Sequence, residues 1–205
     1  MIFAGLFYFA TLVLVAGLAF KIYDYSRTPA PLKIPTTPAP TTQTGVVYRM
    51  AKEVVVFESL WKSNKWIWVF GWLFHFGMLL VLVRHLRYFV NPVPEWLVFI
   101  QPFVKYASFM MVLGLAGLLA RRFLVDRVRY ISTPSDYLWL VVLLGIGATG
   151  MMTTFVAHTD IIALKQFFMG LMSFDIQPVP QDPIILVHLA LVATLMALFP
   201  ISKLL

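Results

Sequence analysis

Apolar positions in this chain gather into five runs: Ile2 to Phe20, Trp66 to Val83, Phe103 to Ala120, Tyr137 to Val156 and Ile184 to Leu205. A hydrocarbon core roughly 30 Å thick takes about 20 helical residues to cross, and the runs are close to that length. Their apolar residues are continuous and do not alternate, so they predict helices and not barrel strands, because backbone polar groups in lipid must find partners within the segment. The pattern predicts an all-α integral membrane protein, a bundle of five transmembrane helices.

The sequence between the first two runs has another character. Pro29, Pro31, Pro35, Pro38 and Pro40 alternate with Thr and Ala, a composition that favours an extended linker. Beyond it Val47, Met50, Val54, Phe57 and Trp61 recur every three to four residues, with Arg49, Lys52, Glu53 and Lys62 between them. That spacing predicts an amphipathic helix, lying on the inner membrane surface or meeting a cytoplasmic partner. The chain thus divides into a first transmembrane helix (1–21), a cytoplasmic linker with an amphipathic segment (22–65) and a four-helix membrane region (66–205). Two helix starts are marked within the last region. Ser132 or Thr133 precedes Pro134, and Asp182 precedes Pro183, each a capping residue followed by proline in the first turn.

Composition agrees with a membrane setting. Of the 205 residues, 60% are hydrophobic and 12% charged, which leaves too little polar surface to cover a soluble globule of this length. The first run has no Lys or Arg before it and is longer than the apolar part of a secretory signal, so it is expected to be a retained helix. The sequence contains no cysteine, which excludes disulfides, thiolate zinc sites and iron–sulfur clusters bound by these residues alone.

The net charge of +7 does not point to nucleic acid, because the basic residues stand beside membrane segments. Lys21, Arg27, Lys33, Arg49, Lys52, Lys62 and Lys65 follow the first run, and Arg121, Arg122, Arg127 and Arg129 follow the third. The alternate loops carry Arg84, Arg87, Lys105 and Lys165, together with Glu95, Asp160, Asp175 and Asp182. By the positive-inside rule the first group is cytoplasmic, which places the N-terminus outside and the C-terminal end, with Lys203, inside.

The chemistry rests on four histidines: His75, His85, His158 and His188. An ionisable group within a membrane is costly and faces a bundle interior, a partner or a cofactor, and neutral imidazole is a common axial ligand of haem iron. His85 ends the outward-running second helix, and His188 lies about 9 Å along the inward-running fifth, so the two reach similar depth. Antiparallel helices with histidines at one level can hold a haem from opposite faces. His75 lies about 15 Å deeper than His85, where a second haem would complete an electron path across the membrane. His158, at the outer end of the fourth helix, reads as an interfacial residue with a role near a quinone head group. Trp66, Trp96 and Trp139 read as aromatic belts. Gly71, Gly77, Gly114, Gly117, Gly147 and Gly150 would allow close approach of a helix or a porphyrin. A proton-relaying transporter and a cofactor-free scaffold stay open on the residues alone, although the runs lack the carboxylates a proton relay uses.

The stretch FGWLFHFGMLLVLVRHLRYF, Phe70 to Phe89, resembles the second helix of the nitrate reductase gamma subunit family of membrane cytochromes b. The segments FESLWKSNKW, STPSDYLWL and VHLALVATLMALFPISKLL resemble more narrowly its DsrM/Hme branch, linked to dissimilatory sulfite reductase. The resemblance implies a dihaem b cytochrome in a prokaryotic cytoplasmic membrane. Its outer haem would be held by His85 and His188. Its inner haem would be held by His75 and a histidine expected at position 206, one place beyond Leu205, as if the chain continued. The resemblance further implies that Lys105 takes part in quinol binding near the outer haem. Arg84 and Arg87 would pair with the outer haem's propionates. The expected function is electron exchange between a membrane quinone, menaquinol, and a cytoplasmic heterodisulfide-reductase-like iron–sulfur subunit.

Overall fold

A computed structural model describes residues 1–29 and 40–202. The linker positions Pro31, Lys33, Pro35 and Pro38, and Lys203 and Leu205 at the other end, lie outside the described residues. Ten α-helices form among the described residues: α1 (Ile2–Arg27), α2 (Gln43–Val56), α3 (Glu58–Ser63), α4 (Lys65–His85), α5 (Glu95–Val104), α6 (Ala107–Leu124), α7 (Asp126–Ile131), α8 (Pro134–Phe155), α9 (Ile161–Ser173) and α10 (Pro183–Leu198). A 3₁₀ turn carries α4 on to Tyr88, and another carries α10 on to Ile201. Five of the helices, α1, α4, α6, α8 and α10, are long and apolar enough to cross a membrane, and the chain is a multi-pass membrane protein. Only 11–28% of the residues in each apolar stretch are buried within the bundle, so the rest keep some side-chain surface for lipid or a partner.

The helix starts follow local chemistry. Thr133 and Asp136 close a reciprocal capping box around Pro134 at the head of α8. Asp182 accepts from the Ile184 N–H ahead of α10, and also from the Thr159 hydroxyl at 2.7 Å, which ties the α8–α9 connection to that helix. Asn64 caps α4 by accepting from Ile67, and Asp160 caps α9 by accepting from Ile162 and Ala163.

Packing runs in sequence: α4 lies on α6, α6 on α8, α8 on α10 and α10 on α1. The α4–α6 seam is made backbone to backbone. A Cβ on Gly114 would stand 2.6 Å from the Phe74 nitrogen, and one on Gly77 would stand 2.7 Å from the Met111 nitrogen, so glycine alone fits at both. One apolar cluster, Phe74, Met111, Leu115 and Leu143, fills the α4–α6–α8 side. A second, formed by Phe7, Ala10, Leu164, Phe167, Ile185, Leu189 and Ala193, joins α1, α9 and α10.

The connectivity puts the C-terminal end of α4, α5, the start of α6, the end of α8, α9 and the start of α10 at one end of the bundle. Here α9 closes over the end of α4, with Phe168 against Tyr88 and Phe89. The opposite end holds α2, α3, α7 and the arginines of the α6–α8 turn, where Arg122 donates to the Ser132 hydroxyl at 2.7 Å. Among the described residues, the two groups of basic residues separated in the sequence therefore lie at opposite ends.

Three expectations need correction. The third apolar run does not open a helix at Phe103: that residue belongs to α5, the chain turns at Lys105 and Tyr106, and the membrane helix starts at Ala107. The segment from Val47 to Trp61 is not one helix. Phe57 takes a left-handed conformation at φ 53° and divides it into α2 and α3, with the Ser59 N–H and hydroxyl both donating to Glu53 across the corner. Trp139 is buried and so is not part of an aromatic belt, whereas Trp66 and Trp96 are exposed.

Candidate functional site: a histidine pair at one end of the bundle

His85 is the last residue of α4, and His188 lies within the second turn of α10. Although α4 and α10 are not close-packed along their lengths, these residues bring them together. Their rings stand 6.5 Å apart between centroids, with planes 19° from parallel. Both Nδ1 atoms are engaged: that of His85 on the Val81 carbonyl at 2.6 Å, and that of His188 on the Thr149 hydroxyl at 3.0 Å. A carbonyl only accepts, so His85 Nδ1 carries the hydrogen and Nε2 the lone pair. Among the described residues neither Nε2 makes a hydrogen bond, and no fully buried side-chain nitrogen or oxygen lacks a partner. Each free Nε2 therefore opens onto accessible space. A partnered Nδ1 with a free Nε2 is the state of a histidine prepared to ligate a metal.

The spacing fits a metal held between the rings. Two metal–imidazole bonds of about 2 Å, with the offset from each ring nitrogen to its ring centre, place axial imidazole centroids roughly 6 Å apart. Space for the His188 ring is supplied by Gly150, where a Cβ would stand 3.1 Å from His188 Cε1. The donor set of two neutral imidazoles among apolar helices suits haem iron, and the residues present fit that group.

The other expected residues are distributed as follows. His75 lies on α4, nearly three turns before His85; its Nδ1 donates to the Gly71 carbonyl at 2.8 Å, and the Phe57 ring meets it edge-on at 5.2 Å. No second histidine accompanies it among the described residues. His158 is exposed beyond α8, in a left-handed conformation at φ 49°. Arg84 and Arg87 share a partner, Gln101 of α5, whose amide donates to the Arg84 carbonyl at 3.4 Å and accepts from the Arg87 guanidinium at 3.2 Å. The Lys105 ammonium lies over its neighbour Tyr106, 4.9 Å from the ring centre.

A pocket of approximately 420 Å³ lies at the same end of the bundle, between α5 and α9. It is lined by Arg87, Gln101 and Lys165 and by the apolar side chains of Val93, Val98, Pro102, Ile161 and Ile162. The sequence reading did not single out Gln101 and Lys165. Lys165 donates to Asn91 at 3.1 Å, and among the described residues neither it nor Arg87 forms an ion pair with a carboxylate.

A multi-pass all-α membrane protein whose two nonadjacent helices meet through paired, Nε2-free histidines has the architecture of a membrane cytochrome b. The chain belongs to the nitrate reductase gamma subunit family, whose model matches residues 42–205. It is 33% identical, over 96% of its length and 73% of the relative's, to a protein of Archaeoglobus fulgidus named Hdr-like menaquinol oxidoreductase cytochrome b-like subunit. A protein of the same name from Archaeoglobus profundus is 28% identical over 98% of this chain and 74% of its own.

Proposed function

We propose that this chain is the membrane cytochrome b subunit of a quinol-linked oxidoreductase and that His85 and His188 are the axial ligands of a b-type haem. The paired rings with free Nε2 atoms carry this reading, and the relatives' names support it. A haem ligated by two imidazoles supplies a one-electron couple and leaves no axial position for oxygen. Arg84 and Arg87 stand beside His85 and offer guanidinium groups to the haem propionates. His75 is the proposed ligand of a second haem at the other level of α4.

The pocket between α5 and α9, at the same end of the bundle as the pair, is the proposed site of the quinone head group. Arg87, Gln101 and Lys165 donate hydrogen bonds to its two oxygens, while the aliphatic walls hold the ring. Lys105 and His158 lie at the same end of the bundle and are further candidates for contact with the quinone. Menaquinol is the proposed electron donor, after the relatives' names. The end rich in arginine faces the cytoplasm on this reading, and there a heterodisulfide-reductase-like iron–sulfur subunit, in a chain of dissimilatory sulfur metabolism, takes the electrons. Quinol protons leave on the opposite side, so the electron step separates charge.

Purified protein from haem-replete cells is expected to show b-haem bands in a dithionite-reduced minus oxidised spectrum. A flat spectrum would contradict the reading. Gln101→Leu is expected to slow haem reduction by a menaquinol analogue at least tenfold while dithionite still reduces the haem fully. An unchanged rate would remove the head group from this pocket.

A further inference from the structure

His85 and His188 satisfy their Nδ1 atoms by different means. His85 uses the carbonyl four residues earlier on its own helix, which no substitution removes. His188 uses a side chain of the neighbouring helix, and that side chain has only one proton to give. Thr149 Oγ1 lies 2.7 Å from the Gly145 carbonyl and 3.2 Å from the Ile146 carbonyl, as well as 3.0 Å from His188 Nδ1. Both carbonyls can only accept, so the hydroxyl proton turns toward them and the oxygen presents a lone pair to the imidazole. Nδ1 of His188 must then carry the hydrogen, which leaves the lone pair on Nε2. Next to Thr149, Gly150 brings the α8 backbone against the same ring, where a Cβ would stand 3.1 Å from Cε1 and 3.6 Å from Nδ1.

We infer that Thr149 is a positioning residue for the paired-histidine site, fixing the tautomer and rotation of His188 so that its Nε2 is available opposite His85. This rests on the proposed haem function and adds to it a residue that touches neither iron nor quinone. A hydrogen bond from Nδ1–H to an acceptor makes an imidazole a stronger donor and so favours the more oxidised state of a metal that it ligates. Thr149→Val keeps the shape and removes the hydroxyl acceptor, leaving the Nδ1–H of a buried ring only the Ile146 backbone carbonyl nearby.

The test is a redox titration, with electron paramagnetic resonance of the oxidised state, of wild type, Thr149→Val and Thr149→Ser. In Thr149→Val one haem should titrate at a more positive potential, with about a threefold change in the ferrous-to-ferric ratio at fixed potential, about 28 mV for a one-electron couple. Its low-spin resonance should broaden as the ring gains freedom, and Thr149→Ser, which keeps the hydroxyl, should restore both. Where Thr149→Val does not accumulate, Thr149→Ala gives the same comparison. Haem present in wild type with potential and resonance unchanged in the hydroxyl-free variants overturns this inference alone. Absence of haem from wild type overturns the proposed function and the inference together.

Discussion

The two histidine levels of α4 are built differently. At the His85 end the imidazole meets a second ring from α10, and α9 closes over the end of the helix. Arg84 and Arg87 stand alongside, held by Gln101. Nearly three turns earlier, His75 has the same Nδ1-to-carbonyl bond but meets Phe57, a residue of the α2–α3 corner, where the other level has a second histidine. The same local device on one helix thus prepares two imidazoles, and the neighbours determine what each can do. Tertiary pairing, and not helix chemistry, distinguishes the level where two histidines meet from the level where His75 meets Phe57.

The largest expected disruption strikes both levels at once. Gly114→Leu would force a side chain into the Phe70–Phe74 backbone, at an overpacking cost of roughly 1–3 kcal/mol or more. It should lower the thermal midpoint in detergent and remove the haem proposed at each level. Retention of wild-type haem content would show that the α4–α6 seam does not hold the two levels in register.

Phe57→Ala acts on one level. It removes an aromatic contact worth about 0.5–1.5 kcal/mol, and should raise the rate at which diethyl pyrocarbonate modifies His75 in haem-depleted protein, read by mass spectrometry, while His188 reacts as before. Equal rates at His75 with and without Phe57 would mean that the corner does not cover it.

The smallest effect is electrostatic. Hydrogen bonds from the Ser59 side chain and backbone hold the exposed Glu53 carboxyl below its ordinary value of 4.5. A lowered folded value means that Glu53's contribution to the corner is fully present above pH 4.5 and fades as pH falls through the folded value. Fluorescence of Trp61 and Trp68, which meet edge to face at this corner, should change over that acid range, and Glu53→Gln should flatten the change. An identical acid transition in the variant would assign it to another group.

Much of this comparison was legible in the amino-acid order. Run length marked the five spans, Thr133 and Asp182 marked two helix starts, and a count of rise per residue placed His85 and His188 at one level. The elements folded over the bundle end were harder to read. The short helices α5 and α9 carry buried residues at helical spacing, Leu97 and Val104 in one, Leu164, Phe167 and Gly170 in the other, a signal that was present but belonged to segments too short to span a membrane. The left-handed conformation of Phe57 has no local signature, because nothing in a run of Val and Phe announces a corner whose partner, Trp68, binds the Val56 carbonyl from another helix. The roles of Thr149, Gln101 and Lys165 were invisible for the same reason. Each depends on which helices become neighbours, whereas periodicity reports only which face of a helix is apolar.

The central claim is that His85 and His188 together hold one haem. It is tested most directly by the pyridine haemochrome content and reduced-minus-oxidised spectrum of His85→Ala and His188→Ala beside wild type. Each variant should lose the same spectral component and keep whatever component His75 supports. Loss of different components in the two variants, or of none in either, would contradict the pairing.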